Sequence, residues 1–340
     1  MQRGARGLFA PDRIAVVGAT EREGSVGRAV MENLQDFDGE VIPLNPKRDE
    51  VFGIQAFDDI SEVDGSVDLA IVVIPPHVAV AGTRQLAEHD VKNIVIITAG
   101  FGETGSEGAA REQELQEIAD EYDLNLVGPN SLGVISTPAN MNATFGPESP
   151  LEGNISFMSQ SGAFITAVID WANDHDIGFK DITSLGNKAV MDESDFIDIW
   201  NDDEQTEVIL AYLEGIDNGR QFIDTAREVT RDPPIVMVKS GRTEAAAQAA
   251  SSHTGTIAGS ERAYEAGLDQ AGVVRANNVQ ELFDFAQILE GQTVPDGDSV
   301  AVITNAGGPG VMATDAIGDS GMEMADLSDE TIDRLSESMP

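Results

Sequence analysis

Short apolar runs rich in valine and isoleucine alternate with segments of helical periodicity along the chain. In the first part of the chain, the apolar runs cover 14–20, 40–46, 68–76, 93–101 and 125–130, and helical patterns between them cover 25–36, 77–89 and 107–122. Near-continuous apolar strands that alternate with helices are typical of parallel sheets built from βαβ units. We therefore predict a doubly wound, Rossmann-like α/β domain over residues 1–145.

A second series of predicted strands follows the turn-rich segment 146–154. Its apolar runs cover 155–160, 181–186, 207–215, 233–240 and 272–276, with a helix from about residue 162. This alternation predicts a second α/β domain, similar to flavodoxin, over residues 146–277.

The remainder of the sequence starts a third α/β unit. A helical connector over 278–297 leads to an apolar strand-to-helix sequence at 299–310. Residues 298–340 are too few to close a sheet. We expect this unit to be incomplete here, or to be completed by another chain.

The charge balance predicts a strongly acidic surface. The chain has 60 Asp and Glu residues against 20 Lys and Arg, a formal net charge of −40. The carboxylates are spread between apolar segments, unlike those of a disordered acidic tail. Salt at 1 M shortens the Debye length to about 3 Å and quenches the self-repulsion. We therefore expect a halophilic, haloarchaeal protein that unfolds at low salt, and no role in binding nucleic acid.

Composition also excludes some classes of chemistry. The chain has no cysteine, which rules out disulfides, thiolate catalysis and cysteine-ligated zinc. The first twenty residues lack the apolar core of a secretory signal, and no apolar stretch approaches the length of about 18 residues that spans a membrane. We expect a soluble, cytoplasmic protein.

The turn GATEREGSVG (18–27) joins a predicted strand to a helix. Backbone N–H groups and the helix dipole at such a turn can hold a phosphate. The glycines do not follow the G-x-G-x-x-G spacing of dinucleotide sites, and Lys47 and Arg48 follow the second strand in place of an acidic ribose ligand. A basic pair suits the phosphorylated ribose of NADP or coenzyme A better than that of NAD. The alternative is that both residues are surface groups that balance nearby acids.

Two further turns have the same strand-to-helix arrangement. SQSGAF (159–164) and NAGGPG (305–310) offer serine hydroxyls and open backbone. Either turn can be an ordinary capped helix start. Together they suggest two helix N-termini that converge on one anion.

His253 lies in the small-residue run SSHTGTIAGS (251–260). No G-x-S-x-G elbow accompanies it, which makes a Ser-His-Asp triad improbable. His77, His89 and His175 are scattered, so no metal site is predicted. Besides a structural histidine, the remaining interpretation is a nucleophile that accepts a phosphoryl group.

Such a nucleophile needs a carboxylate to orient the second ring nitrogen. Glu214, at the end of the apolar run 207–215, is the best placed candidate by strand topology.

The motifs together resemble one family, the NDP-forming acyl-CoA synthetases. The similarity is to the α subunit or α portion of ADP-forming acetate–CoA ligases and, more distantly, to the α subunit of succinyl-CoA synthetase, over essentially the whole chain. Its markers are VVGAT (16–20), GSVG (24–27), LNPK (44–47), VVIPP (72–76), ITAGFGE (97–103), GPNSLG (128–133), SQSG (159–162), YLEG (212–215), HTGTIAG (253–259) and TNAGGPGV (304–311).

The resemblance implies a CoA-binding domain, a ligase domain with a phosphohistidine, and the start of a second ligase domain. It implies an acid–thiol ligase that interconverts acetyl-CoA, ADP and phosphate with acetate, ATP and CoA through an acyl phosphate. ATP or ADP with Mg²⁺ would bind an ATP-grasp β subunit or a missing C-terminal region, since no ATP-grasp region occurs in this sequence. A hetero-oligomer or dimer is expected.

The resemblance also implies roles for individual residues. His253 would carry the phosphoryl group, with Glu214 as its carboxylate partner. The phosphate would be held by Ser159, Ser161, Gly162, Gly307, Gly308 and Gly310. Coenzyme A would be held by Gly18, Thr20, Ser25, Lys47, Pro75, Glu103 and Asn130.

Two other interpretations remain open at this point. A CoA-binding regulatory or acyl-transfer protein could use the same scaffold without phosphoryl transfer. A nicotinamide-dependent dehydrogenase is the other alternative, against which the glycine spacing and Lys47 both argue.

Overall fold

The structure is a computed structural model that describes residues 5–229, 233–241, 261–292, 295 and 297–338. These residues form two compact units, residues 1–291 and 292–340. Within the described ranges, no helix combines the length and the apolar character needed to cross a bilayer.

The first sheet confirms the predicted doubly wound α/β fold. Its parallel strands lie in the order β2-β1-β5-β6-β7. Every residue of β5 and β6 is buried, because helices cover both faces of the sheet. The strands are β1 (Arg13–Val17), β2 (Glu40–Leu44), β5 (Leu69–Val72), β6 (Asn93–Ile96) and β7 (Asn125–Val127), and a short hairpin of β3 (Glu50–Val51) and β4 (Ile54–Gln55) follows β2.

The helices of the first sheet begin and end where local chemistry favours it. They are α1 (Val26–Asn33), α2 (Pro76–Glu88) and α3 (Ser106–Tyr122). Ser25 caps α1, and Pro76 occupies the first turn of α2, where its missing N–H has no partner to lose. Asp123 ends α3 in the left-handed conformation.

The second sheet has the flavodoxin strand order. Its parallel part runs β14-β13-β12-β10-β11, and β8 and β9 extend it as an antiparallel edge. The first strand in the chain thus lies at the second position, which is the 2-1-3-4-5 arrangement. The strands are β8 (Gly133–Ser136), β9 (Met141–Thr144), β10 (Leu151–Ser159), β11 (Gly178–Ser184), β12 (Val208–Leu213), β13 (Ile235–Lys239) and β14 (Val274–Ala276).

Two segments lie differently from the sequence-based expectation. Strands β8 and β9 precede residue 145, yet they belong to the second sheet, where β8 pairs with β11 and β9 pairs with β8. The helix in the expected connector packs on the second sheet, where Leu282, Phe283 and Ala286 are buried in its core. Apolar residues on one helix face bury themselves on the nearest sheet. The domain limits at 145, 277 and 297 stay predictions. The helices of this sheet are α4 (Gly162–Asp174), α5 (Glu193–Asn201), α6 (Gly219–Val229), α7 (Glu261–Ala271) and α8 (Val279–Glu290).

Backbone hydrogen bonds join the two sheets at their carboxyl ends. The N–H groups of Asn187 and Ala189, after β11, donate to the carbonyls of Pro129 and Gly128, after β7, over 2.9 and 3.0 Å. Gly186 makes this approach possible, because a Cβ there would lie 2.2 Å from the Pro129 carbonyl oxygen.

The second compact unit is a short α/β fragment. Parallel strands β15 (Ser299–Val300) and β16 (Glu323–Met324) flank α9 (Gly307–Asp319), and α10 (Asp329–Ser338) follows. Large apolar side chains such as Ile303 and Met312 are exposed here. The unit therefore has little core of its own within the described residues.

Candidate active site

A cavity of about 1070 Å³ lies where the carboxyl ends of the two large sheets face each other. Loops after β5, β6 and β7 form one wall, and loops after β10, β11 and β12 form the other. The carboxyl edge of an open parallel sheet is the usual ligand site. Here two such edges share one space.

The turn after β1 brings backbone close to helix α1. Gly18 has φ +97°, and a Cβ at Gly27 would lie 2.3 Å from the Gly18 carbonyl oxygen. Glycine is required at both positions for strand and helix to approach so closely. The Ser25 hydroxyl accepts a hydrogen bond from the Arg28 N–H at 3.4 Å and donates one of 2.6 Å to the Arg22 carbonyl. Thr20 Oγ1 accepts from the Arg22 N–H at 3.3 Å.

Lys47 lies exposed in the loop after β2. Its N–H donates to Asn45 Oδ1 at 3.0 Å, and the Asn45 amide donates to the Ala19 carbonyl at 2.7 Å, which ties this loop to the first turn. Gly18, Thr20, Ser25 and Lys47 do not line the large cavity. Ser25 lines an adjoining cavity of about 470 Å³ that shares Val26 and Phe145 with the large one.

Pro75, Glu103 and Asn130, for which a role in holding coenzyme A is predicted, line the large cavity from the first sheet. Glu103 accepts hydrogen bonds from the Gly100 N–H at 2.5 Å and the Phe101 N–H at 3.2 Å. Its other oxygen accepts from the Asn187 side chain at 2.6 Å. Burial alone would raise the pKa of Glu103, but these donors hold it below its usual value. The carboxylate therefore stays ionised.

Asn187 is a site residue that the sequence analysis missed. Its amide donates to Glu103 and, at 2.7 Å, to Glu112, and its oxygen accepts from the Asn130 side chain at 3.2 Å. It follows β11 in a loop of the second sheet, so it connects the two walls of the cavity. The rule that ligands gather at strand ends would have found it, had the rule been applied to the second sheet.

The predicted phosphate turn SQSG starts helix α4. Ser161 is the N-cap, and its hydroxyl accepts from the Phe164 N–H at 3.3 Å. Ser161 and Gly162 line the cavity. Ser159 departs from the expectation, because it is fully buried and its hydroxyl accepts from the Ser161 N–H at 3.0 Å and donates to the Ser161 carbonyl. Ser159 shapes the turn and does not line the cavity.

Glu214 follows β12 and lines the same cavity. Its Oε2 is buried and accepts no hydrogen bond from any residue that the structure describes. A buried carboxylate oxygen without a donor is costly. It is therefore a position at which a ligand or another side chain could donate.

Gln160 and Lys188 hold the backbone around Glu214, and both were missed. Gln160 Oε1 accepts hydrogen bonds from the N–H groups of Glu214 and Gly215. Lys188 Nζ donates to the Gly215 carbonyl at 2.9 Å and pairs with Glu193 and Asp217 at 3.0 Å each. Gln160 and Lys188 also line the cavity.

Other predicted residues cannot be placed in this site. His253 lies outside the described residues. Gly307, Gly308 and Gly310 occupy the first turn of α9 in the second compact unit, where a Cβ at either of the first two would meet nothing within 4 Å. This open backbone matches the expected turn. The convergence of two helix N-termini stays a prediction.

Two protein families match separate parts of the chain. Residues 12–137 match the family described as "CoA binding domain". Residues 152–289 match the family described as "Succinyl-CoA ligase like flavodoxin domain". The first match covers the strands of the first sheet together with β8, and the second covers β11 to β14 and nearly all of β10.

Two relatives with similar sequences are both named as ADP-forming acetate–CoA ligases. The chain is 46% identical to acetate–CoA ligase [ADP-forming] I of Archaeoglobus fulgidus, over 98% of this chain and 48% of the relative. It is 41% identical to the α subunit of acetate–CoA ligase [ADP-forming] I of Pyrococcus furiosus, over 95% of this chain and 71% of that subunit. The chain thus spans about half the length of its longer relatives and most of the separate α subunit.

A solved structure supports the fold over the same range. The dinucleotide-forming acetyl-coenzyme A synthetase 1 of Ca. Korarchaeum cryptofilum, in complex with phosphate and ADP, superimposes with a TM-score of 0.91 and 38% identity, covering 100% of this chain and 74% of that one. Sequence, fold and cavity lead to one conclusion: the chain belongs to the ADP-forming acetate–CoA ligase family, in which it corresponds to the α subunit.

Proposed function

We propose that this chain performs the acyl-CoA and phosphohistidine steps of an ADP-forming acetate–CoA ligase. The observation that carries the proposal is the position of Glu214 Oε2, which is buried without a donor among the described residues, in the wall of the cavity that also contains the N-terminal turn of α4. An anion-binding helix start and an unsatisfied carboxylate in one cavity suit a phosphate and an imidazole that is oriented for attack.

The cavity fits coenzyme A. Its walls combine apolar side chains, including Val73, Ile74 and Leu132, with polar groups at the strand ends. An apolar wall suits the pantetheine arm, and a few polar groups suit its amides. The exposed Lys47 and the glycine turn at 18–27 lie at the first-sheet edge, where the phosphorylated adenosine would bind.

The first proposed step forms an acyl phosphate. A phosphate oxygen attacks the carbonyl carbon of acetyl-CoA, the C–S bond breaks, and the CoA thiolate leaves and takes up a proton. The N–H groups at the start of α4, near Ser161 and Gly162, would bind the phosphate and stabilise its charge.

The second proposed step forms the phosphohistidine. A ring nitrogen of His253 attacks phosphorus, the bond between phosphorus and the acyl oxygen breaks, and acetate leaves. The other ring nitrogen keeps its proton and donates a hydrogen bond to Glu214. That hydrogen bond stabilises the charge that develops on the ring.

The last step requires a partner. A terminal oxygen of ADP attacks the phosphohistidine, the N–P bond breaks, and ATP forms. We assign this step, with Mg²⁺, to an ATP-grasp β subunit or C-terminal region, so the working enzyme is expected to be a hetero-oligomer or a dimer. Short or branched acids other than acetate are also compatible with the cavity.

The proposal is tested by phosphoenzyme labelling. The chain is combined with an ATP-grasp partner at high salt and incubated with labelled ATP, or with acetyl-CoA and labelled phosphate. Acid-labile, base-stable label is expected on the chain in both reactions and is expected to be absent from His253→Ala. Unchanged labelling of His253→Ala would falsify the assignment.

A second outcome would identify the alternative function. Binding of CoA with no phosphoenzyme from either label would favour a CoA-binding regulatory protein on the same scaffold.

A further inference from the structure

The backbone segment Glu214–Gly215 is held from two sides by neighbouring loops. On one side, Gln160 Oε1 accepts hydrogen bonds from both N–H groups, that of Gly215 at 2.9 Å. The Gln160 N–H donates to the Tyr212 carbonyl at 3.0 Å. Gln160 is therefore fixed to the strand that ends at Glu214.

On the other side, Lys188 holds the carbonyl of the same segment. Lys188 Nζ lies 2.9 Å from the Gly215 carbonyl oxygen, 3.0 Å from Glu193 Oε2 and 3.0 Å from Asp217 Oδ2. A lysine ammonium has three N–H donors, and these three acceptors occupy all of them. Lys188 lines the cavity but has no donor left for a phosphate.

Burial and charge make this contact rigid. The side chains of Lys188 and Glu193 are 3% and 1% exposed. Burial would lower the pKa of Lys188, but the charges of Glu193 and Asp217 raise it above its usual value. The ammonium thus keeps its charge and its three hydrogen bonds. A lysine in this wall is notable in a chain with 60 acidic and 20 basic residues, because so few cations are available.

We propose that Gln160 and Lys188 are positioning residues that clamp the Glu214–Gly215 segment and aim the Glu214 carboxylate into the cavity. The proposal rests on the function proposed above, in which Glu214 orients the attacking imidazole. A carboxylate displaced by about 1 Å orients the ring poorly, and such displacements cost up to roughly 100-fold in rate.

The test measures each variant alone and in a Glu214→Gln background. Gln160→Met removes the acceptor with little change of shape. Lys188→Met combined with Glu193→Gln removes the ammonium without leaving a buried carboxylate unpaired. Each is assembled with the ATP-grasp partner at high salt, and the rate of phosphohistidine formation from acetyl-CoA and labelled phosphate is measured together with the Kd for CoA.

Lys92→Met is the matched control. Lys92 also donates to a backbone carbonyl, that of Tyr122 at 2.8 Å, and pairs with a carboxylate, Asp90 at 3.6 Å, outside the cavity lining. Its substitution is expected to leave the rate unchanged.

The expected result is a rate lower by roughly 10- to 100-fold for Gln160→Met and for the double variant, with the Kd for CoA unchanged. In the Glu214→Gln background, the same substitutions are expected to have almost no further effect, because residues that act through one group are not additive.

Two results would overturn the inference, and they differ from a failure of the proposed function. If Glu214→Gln slows the reaction but the clamp variants leave it unchanged, or slow it equally in both backgrounds, the clamp is wrong and the role of Glu214 stands. If Glu214→Gln leaves the rate unchanged, the role proposed for Glu214 is wrong, and the clamp proposal, which depends on that role, is wrong as well.

Discussion

Asn187 Nδ2 donates a hydrogen bond of 2.6 Å to Glu103 Oε2 and thereby joins the two walls of the cavity. The same nitrogen donates to Glu112 at 2.7 Å. One side-chain amide in a loop after β11 thus contacts a carboxylate in the segment after β6 and another on α3. The hydrogen bond lowers the pKa of Glu103 against the effect of burial, and we expect it to stabilise the cavity.

Replacement of Asn187 by Leu is expected to lower the free energy of unfolding by about 1–3 kcal/mol, because two carboxylates lose a shared donor. The measurement is denaturant unfolding at constant high salt. Gln113→Leu is the control, since Gln113 donates to Glu117 at 3.1 Å on the exposed surface. Equal effects of the two substitutions would contradict a special role for Asn187.

Gly186→Ala is expected to be strongly destabilising. Gly186 has φ +58°, and a Cβ would lie 2.2 Å from the Pro129 carbonyl oxygen. Gly53 has φ +76° with nothing within 4 Å of its Cβ position, so Gly53→Ala adds only backbone strain of about 1–2 kcal/mol. We expect Gly186→Ala to cost at least about 2 kcal/mol more, measured by denaturant unfolding. A similar loss of unfolding free energy at both positions would show that the loops that contain Gly186 and Pro129 move apart easily.

Asp195→Asn is expected to stabilise the protein at neutral pH. Burial raises the pKa of Asp195 to about 6, and the charges of Asp192 and Asp198 add to this effect, against a hydrogen bond from the Asp192 N–H. Because the pKa is raised in the folded state, stability is lost as pH rises from about 4 through about 6. The variant should gain up to about 3 kcal/mol at pH 8, because a pKa raised by about 2 units corresponds to about 1.4 kcal/mol per unit.

The gain should shrink to nothing near pH 4, where both side chains are neutral. Unfolding midpoints of the two proteins between pH 4 and 8 check this. A difference between the two unfolding midpoints that does not vary with pH would rule out titration of Asp195 as its cause.

Lys47→Met is expected to weaken CoA binding by about 2- to 5-fold, the range for one exposed ion pair. Labelling of the chain by ATP through the ATP-grasp partner should stay the same, since that reaction needs no CoA. Calorimetric titration with CoA checks the first expectation, with Lys92→Met as the control. Equal damage to CoA binding and to labelling would indicate a structural role for Lys47.

Stability is expected to rise steeply with salt, because the net charge of −40 repels itself in dilute buffer and salt screens that repulsion. Thermal unfolding between 0.1 and 3 M KCl, about the range over which the Debye length falls from 10 to below 3 Å, measures the effect. Sucrose at matched osmolality should stabilise much less. Equal stabilisation by both would attribute the effect to exclusion of solute from the surface.

Local pattern was enough to predict the sheets. β5, β6 and β12 lie within the apolar runs at 68–76, 93–101 and 207–215, because a strand buried on both faces needs a continuous apolar segment. The strand-to-helix turns were also predictable, since glycine and serine are required for close backbone approach and for capping. The predicted site residues Pro75, Glu103, Asn130, Ser161, Gly162 and Glu214 all line the cavity, and their roles stay predictions.

Contacts between distant segments were not predictable in this way. Strand β8 pairs with β11, and β9 pairs with β8, at the edge of the second sheet, although their local sequence is equally suited to either sheet. Ser159 matched the motif but is buried beneath it, since one turn presents some residues to the cavity and the others to the core.

The sequence by itself determined the order of strands and helices, the positions of the glycine turns and the family resemblance, because these depend on residues close together in the chain. Only the tertiary structure decided that Gln160, Asn187 and Lys188 support the site. Gln160 lies more than fifty residues from Glu214, Asn187 more than eighty from Glu103, and Lys188 nearly thirty from Gly215. Hydrogen bonds over such separations exist only once the sheets have assembled and brought their carboxyl ends together.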